Sequence, residues 1–363
     1  MRVLVVGRGI VGAAAAFHLA GAGAEVAVVD AGRPGQATAA GAGIVCPWLS
    51  GVEDPRWYEL ARAAALAYPP LVEALGADVG WADVGGLLVS ADPAVVERAA
   101  ALAERRAAAE PAVGAVTRLA PGEPVRWFPP LDKRLAGVHV EHGWRVDGRR
   151  VRDALLAGAE RLGATVVAGG AALSVDAGRA AVAVDGRPVP ADAVVVAAGA
   201  WVRATGAPLG VAVAVEPQRG QLVHLDLPGT DTSAWPSVVA DDGHYLVAFG
   251  PSRVVAGATR ETGSGFDPRP TAAGLHEVLG RALAVAPGLA GGTVADVRVG
   301  LRPASADGLP VLGPVPGVDG VVLATGLGAG GLTVGPYVGR LAADLALGRT
   351  PPVDLSPYAP ARA

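Results

Sequence analysis

Three glycines stand at a spacing that serves phosphate chemistry: Gly7, Gly9 and Gly12, in Gly7-Arg8-Gly9-Ile10-Val11-Gly12. The first permits a tight turn, the second lets backbone approach a pyrophosphate, and the third lets a helix pack close to a strand. Ile10 and Val11 would open that helix, whose N–H groups and partial positive charge suit an anion. Asp30, followed by Ala31, ends the next apolar run. A carboxylate there accepts hydrogen bonds from ribose hydroxyls and disfavours a 2′-phosphate. This fingerprint leaves NAD and FAD both open.

Three further segments favour FAD. Ala31 to Gly43 is a run of small residues that can lie flat along an extended cofactor; Thr38, Ala42, Gly43 and Ile44 are its expected contacts. Ala198, Gly199 and Trp201 follow the apolar run 193–197, at a strand end where α/β ligand sites cluster. Near the chain's end, Gly326, Gly328, Ala329, Gly330, Gly331, Leu332 and Thr333 form a glycine-rich loop before a helix. That is a second helix N-terminus able to face negative charge. Ala172, in an expected strand at 171–175, completes the cofactor contacts.

These residues need elements to hold them. Val3 to Val6 and Glu25 to Val29 are short apolar runs, typical of strands buried on both faces. With the helix between them they make a βαβ unit. Helical periodicity covers 57–75, broken or restarted at Pro69-Pro70, and recurs over 93–110, 148–162, 271–286 and 333–347. The runs 193–197 and 320–324 read as further buried strands, and 165–167 reads as a strand. Between them, 211–215, 221–225, 244–249 and 253–257 read as strands of an antiparallel sheet with one solvated face, and 292–301 is strand-like. The expected architecture is α/β: a Rossmann-like nucleotide-binding domain from 1–80, 143–212 and 298–350. A second, mainly antiparallel α+β domain takes 81–142 and 213–297, and 351–363 form a tail.

Composition narrows the classes. Of 363 residues, 51% are hydrophobic and 18% charged, against about 25% charged in ordinary domains. A large core is affordable, which excludes a disordered chain. Net charge is −4 with no basic face, so the footprint of a nucleic-acid binder is missing. The lone cysteine, Cys46, excludes a disulfide framework and a cysteine-cluster metal site. It reads as a buried, inert thiol. His139-x-x-His142 lacks a third ligand, so no metal is expected. The opening apolar run is too short for a signal peptide and no stretch can span a bilayer, which points to a cytoplasmic protein.

Taken in order, the motifs resemble the D-amino-acid oxidase superfamily of FAD enzymes, nearest to glycine oxidases and D-amino-acid dehydrogenases. The likeness spans nearly the whole chain. It rests on the fingerprint with Asp30, Thr38 to Ile44, Val146-Asp147 and Ala197 to Trp201. Pro217-x-Arg219-Gly220-Gln221 and Gly257-Ala258-Thr259-x-Glu261 follow. Gly300-x-Arg302-Pro303 with Asp307-Gly308-Leu309-Pro310, then Gly326 to Thr333, complete it.

The resemblance implies non-covalent FAD; Cys46 does not stand where covalently bound relatives carry their cysteine. It implies hydride transfer from the carbon beside a neutral amine, giving an imine that water hydrolyses. The expected substrate is glycine or a D-amino acid. Alternatives are a secondary amine such as sarcosine or proline, or a flavin-binding subunit of a larger complex. Oxygen or another acceptor would reoxidise the flavin, and the enzyme could form a homo-oligomer. Arg302 would grip the substrate carboxylate through its planar fork, and Tyr245 would assist. Gly328 to Thr333 would face the flavin's carbonyl edge. Leu327 and Ala329 stand where many relatives carry histidine and a polar residue.

Overall fold

The computed structural model describes residues 1–362. Three distant pieces of chain meet in one six-stranded sheet. Its order is Val311–Pro314, Val321–Thr325, Ala193–Val196, Arg2–Val6, Glu25–Asp30 and Thr165–Ala168. All neighbours are parallel except the first pair. The central strands are buried along almost their whole length, which is why they are unbroken Val/Leu/Ala runs.

Helix Ile10–Gly21 lies on this sheet, against helices Gly148–Arg161 and Gly331–Ala346. Ala13 to Ala16 are fully buried, so the helix is apolar all round rather than striped. Small residues let the helices approach closely. A Cβ on Gly339 would lie 2.5 Å from the Val11 carbonyl oxygen.

The second sheet has nine strands. In order these are Glu261–Thr262, Val215–Asp226, Arg253–Gly257, Tyr245–Phe249, Ser237–Ala240, Gly86–Ser90, Ala136–Val140 and Val116–Leu119. Thr293–Ser305 pairs along nearly all of Val215–Asp226. The sheet is mainly antiparallel, with one parallel pair, Ser237–Ala240 beside Gly86–Ser90.

Three details differ from the sequence expectation. The strand expected at 211–215 starts only at Val215 and merges with its successor into one twelve-residue strand. Thr293–Ser305 runs across position 298, so one continuous strand belongs to both expected domains. The helical stretch at 57–75 breaks at Ala67, just before the prolines, and restarts at Tyr68. Pro69 and Pro70 instead sit in the first turn of helix Tyr68–Leu75, where a missing N–H costs nothing.

Candidate active site

A cavity of about 770 Å³ opens between the two sheets, with wall residues from both. On the parallel-sheet side the wall is largely backbone. Gly7, Gly9, Ile10 and Val11 line it. Gly7 has φ +104°, and a Cβ there would lie 2.4 Å from the Ala197 carbonyl oxygen. Gly12 is absent from the wall; its missing Cβ would stand 1.8 Å from the Gly7 carbonyl oxygen, so it serves the close packing expected of it.

Asp30 and Ala31 line the cavity too. The Asp30 carboxylate already accepts from Arg8 N (2.8 Å), Gly32 N (2.7 Å) and Gln36 Nε2 (3.0 Å). These bonds fix its direction, and a carboxylate offers about four acceptor sites, so capacity is left for a ligand hydroxyl.

Two threonines fasten the small-residue loop. Thr38 Oγ1 accepts from Ile10 N at 3.0 Å, and Thr333 Oγ1 donates to the Ile44 carbonyl at 3.0 Å. Thr333 is therefore no N-cap; Gly330 takes that position without a side-chain bond. Thr38, Ala42, Gly43 and Ile44 line the cavity, as do Ala198, Gly199 and Trp201. So do Gly328, Ala329, Gly330, Gly331, Leu332 and Thr333.

Besides Gly12, two expected contacts fall outside this wall. Ala172 is exposed on its strand, and the wall there is Gly169, Gly170 and Ala171. Side chains alternate along a strand, so the turn before it reaches the cavity while Ala172 points away. Gly326 turns the chain at φ +76° behind the wall. Of two nearby tryptophans, Trp57 lines the cavity, whereas Trp48 is fully buried behind it. Cys46 touches the cavity, and burial pushes its thiol up to about 12, so it stays protonated at neutral pH.

On the other side the wall is made of side chains. Arg302 and Tyr245 both line it. Each occupies space cleared by a glycine on a neighbouring strand. A Cβ on Gly220 would lie 2.4 Å from Arg302 Nη2, and one on Gly257 would lie 2.6 Å from the Tyr245 ring. Arg302 Nη1 donates to the Thr259 carbonyl at 2.9 Å. Burial pushes the Tyr245 phenol up, and the nearby Arg302 and Arg260 guanidiniums pull it the other way.

Behind Arg302 lies a polar network. Glu261 Oε1 accepts from Thr259 Oγ1 and Gln221 Nε2, both at 2.7 Å. Its Oε2 accepts from Arg219 Nη2 at 2.6 Å. Arg219 and Glu261 thus neutralise each other and leave Arg302 without a carboxylate partner among the described residues.

Arg260 is the functional candidate that the sequence reading missed. It is exposed, lines the same cavity, and has no ion pair among the described residues. Thr259 and Glu261 both point into the network, whereas Arg260, in the irregular stretch 258–260, reaches the cavity; no periodicity in the sequence signals it. No histidine lines the cavity, and His244 is buried away from it, as its offset from Tyr245 implies.

The wall therefore combines a glycine cradle under a helix N-terminus with two unpaired guanidiniums. That suits an adenine dinucleotide held beside a small acid. The profile of the DAO family, described as FAD dependent oxidoreductase, matches residues 2–345. The chain belongs to this family. Its fold superimposes on iminodiacetate oxidase from Chelativorans sp. BNC1 with a TM-score of 0.97 at 46% identity, covering 99% of each chain. An uncharacterized oxidoreductase, YurR, of Bacillus subtilis is 43% identical over 99% of this chain and 98% of its own. Glycine oxidase of Pseudomonas putida is 32% identical over 99% and 98%. As a DAO-family member the protein is an FAD-dependent oxidoreductase of amino acids or amines. No helix among the described residues is long and apolar enough to cross a membrane.

Proposed function

We propose that this enzyme oxidises the C–N bond of a small secondary amino acid bearing two carboxylates, of the iminodiacetate type. The observation that carries this is the pair Arg302 and Arg260: two guanidiniums on one chamber wall, neither with a carboxylate partner among the described residues. Isolated cations beside a chamber ask for anions, and a planar fork favours a carboxylate. The similarity to an iminodiacetate oxidase supports the same reading.

In this reading Arg302 grips the carboxylate next to the reacting carbon and Tyr245 donates its phenol hydrogen to it. The network through Glu261 and Thr259 keeps the guanidinium aimed. Arg260, nearer solvent, takes the second carboxylate. The apolar Leu327 and Ala329 side chains desolvate the amine and favour its neutral form. FAD, when bound, supplies the acceptor for the hydride leaving carbon, and water then hydrolyses the imine. We assign the cofactor contacts to residues that line the cavity: Gly7, Gly9 to Val11, Asp30, Ala31, Thr38, Ala40 to Ile44, Ala198 to Trp201 and Gly328 to Thr333. The N-terminus of helix Gly331–Ala346 would stabilise negative charge at the ring system's carbonyl edge. Orientation and charge placement do the work, with no acid–base side chain.

A second reading, glycine or a D-amino acid, is favoured by the Arg302–Tyr245 half of the site alone and by the glycine oxidase relative. Anaerobic flavin bleaching with iminodiacetate, sarcosine, glycine and D- and L-amino acids separates the two, and readmitted air tests oxygen as acceptor. Arg260→Ala is expected to raise KM for iminodiacetate about 10- to 100-fold, the worth of a hydrogen bond to a charged group, and to leave glycine or sarcosine unaffected. Fast bleaching by glycine with none by iminodiacetate would remove the second carboxylate from the assignment.

A further inference from the structure

Segment 47–53 is a partition between two cavities. One side carries Leu49, Ser50, Gly51 and Val52 on the wall of the substrate chamber. The other borders a second cavity of about 410 Å³, walled by Trp48, Leu49, Gly51 and Glu53 and, opposite, by helix Pro93–Ala109. Leu49 and Gly51 belong to both walls. At those points the partition is a single chain thick.

Pro47, Trp48 and Leu49 are buried and anchor its first half, with Trp48 edge-on to Trp144; one further side chain ties that anchor to the rest. Arg106 is 6% exposed, and its Nη1 donates to the carbonyls of Pro47 (3.2 Å), Trp48 (2.9 Å) and Ser50 (2.7 Å). Nη2 donates to the Val52 carbonyl at 3.1 Å. The guanidinium packs over the Tyr58 ring at 4.1 Å and has no carboxylate partner among the described residues. A buried cation without an acid is costly. Here the compensation is four carbonyls of one segment, and only a five-donor fork can serve them together. The segment offers little of its own: beyond the short turn Pro47–Leu49, residues 50–54 have no regular structure.

We propose that Arg106 is a positioning residue that latches residues 50–53 to the buried anchor Pro47–Leu49 across the substrate chamber, and that the second cavity is the space into which residues 50–53 swing to admit substrate. The inference rests on the chamber being the substrate's, but not on the second carboxylate. Burial of the latch and an empty volume directly behind the partition together make a hinged wall, where a merely structural arginine would need no space at its back.

Hydrogen exchange and kinetics on the flavin-loaded enzyme test it. Arg106→Met should speed amide exchange over 47–53 about tenfold or more, with the rest of the chain unchanged. FAD content should hold, and KM for the best amine of the panel should rise about tenfold while kcat changes less than about twofold. Arg106→Lys, with fewer donors, should fall between the two. Unchanged exchange over 47–53, or faster exchange with unaltered KM, overturns the proposal. If Arg106→Met does not fold, Ala99→Trp decides instead by filling the second cavity from helix Pro93–Ala109. It should slow exchange over 47–53 and lower kcat/KM about fivefold or more. Wild-type values for both overturn the proposal. If no amine bleaches the flavin, the functional reading fails, while exchange over 47–53 still decides the latch.

Discussion

The two walls of the cavity recognise their ligands by opposite means. On the parallel-sheet side, Gly7 to Val11 offer backbone, and what matters is the absence of a Cβ. On the other side, Arg302, Tyr245 and Arg260 offer side chains, and what matters is where distant strands let them lie. Glycines serve both walls differently. Gly12 sits against backbone that cannot yield, whereas Gly220 sits against the far end of a flexible arginine. The first wall should therefore fail as a fold, and the second should fail as a specificity.

The largest effect is expected at Gly12. In Gly12→Ala the new Cβ would meet the Gly7 carbonyl oxygen at 1.8 Å, so strand and helix must separate. Overpacking of this kind costs about 1–3 kcal/mol or more. FAD affinity should drop about 100-fold or more, and the purified protein should lack flavin absorbance. Arg302→Ala attacks the other wall. It should keep its FAD, yet lose about 10²- to 10⁴-fold in kcat/KM, since two charge-assisted hydrogen bonds are worth about 3–6 kcal/mol. If that variant also lost FAD, the contrast between the walls would be gone.

Gly220→Ala sharpens the comparison, because it is the same chemical change on the opposite wall. Its Cβ would stand within 2.5 Å of three guanidinium atoms of Arg302. The guanidinium can swing aside, so the fold should survive with a Tm within a few degrees of the parent, for a cost of about 1 kcal/mol. Substrate recognition should not survive as well: KM should rise about 10- to 100-fold through the displaced fork. Steady-state kinetics beside a thermal melt measures both quantities in one preparation.

The two walls were also unequally legible in the sequence. Gly7, Gly9, Gly12 and Asp30 lie within one βαβ unit, so local spacing carries their roles. Thr38 and Thr333 were placed on the cavity by position, but their partners, Ile10 N and the Ile44 carbonyl, come from chain far away. Arg302 stood out only within its motif. Its aim depends on Gly220 and on Thr259, contributed by other strands, and no spacing within one segment encodes that. Arg260 was overlooked because twenty-nine of thirty basic residues are arginine, which makes arginine identity uninformative. Ala172 was misplaced by one structural step: the cavity meets the turn before its strand, and a turn's path is set by packing rather than by apolar alternation.

The smallest expected effect separates the walls by acid. The substrate sheet carries His224 and His244, each 5% exposed or less, with no partner for either ring nitrogen. Burial lowers both to about 4, whereas an unfolded histidine titrates near 6.5. Below pH 6.5 the unfolded chain takes up protons that the folded one refuses, so stability falls as pH drops from about 6.5 towards 4 and is unaffected above that window. Each ring contributes at most about 2–3 kcal/mol to this loss. His18, also lowered to about 4 by burial and by Arg340, stands alone in the nucleotide half. Acid should therefore loosen the substrate sheet before the cofactor cradle. Hydrogen exchange at pH 5 should quicken over 221–226 and 244–249 while Arg2–Val6 stays protected. His244→Phe, an apolar ring in a site that offers its nitrogens no bonds, should flatten the fall of Tm between pH 6.5 and 4.5. A slope identical to that of the parent would show that His244 protonates without cost, and the acid asymmetry would then rest on His224 and on His139, which burial also lowers on the same sheet.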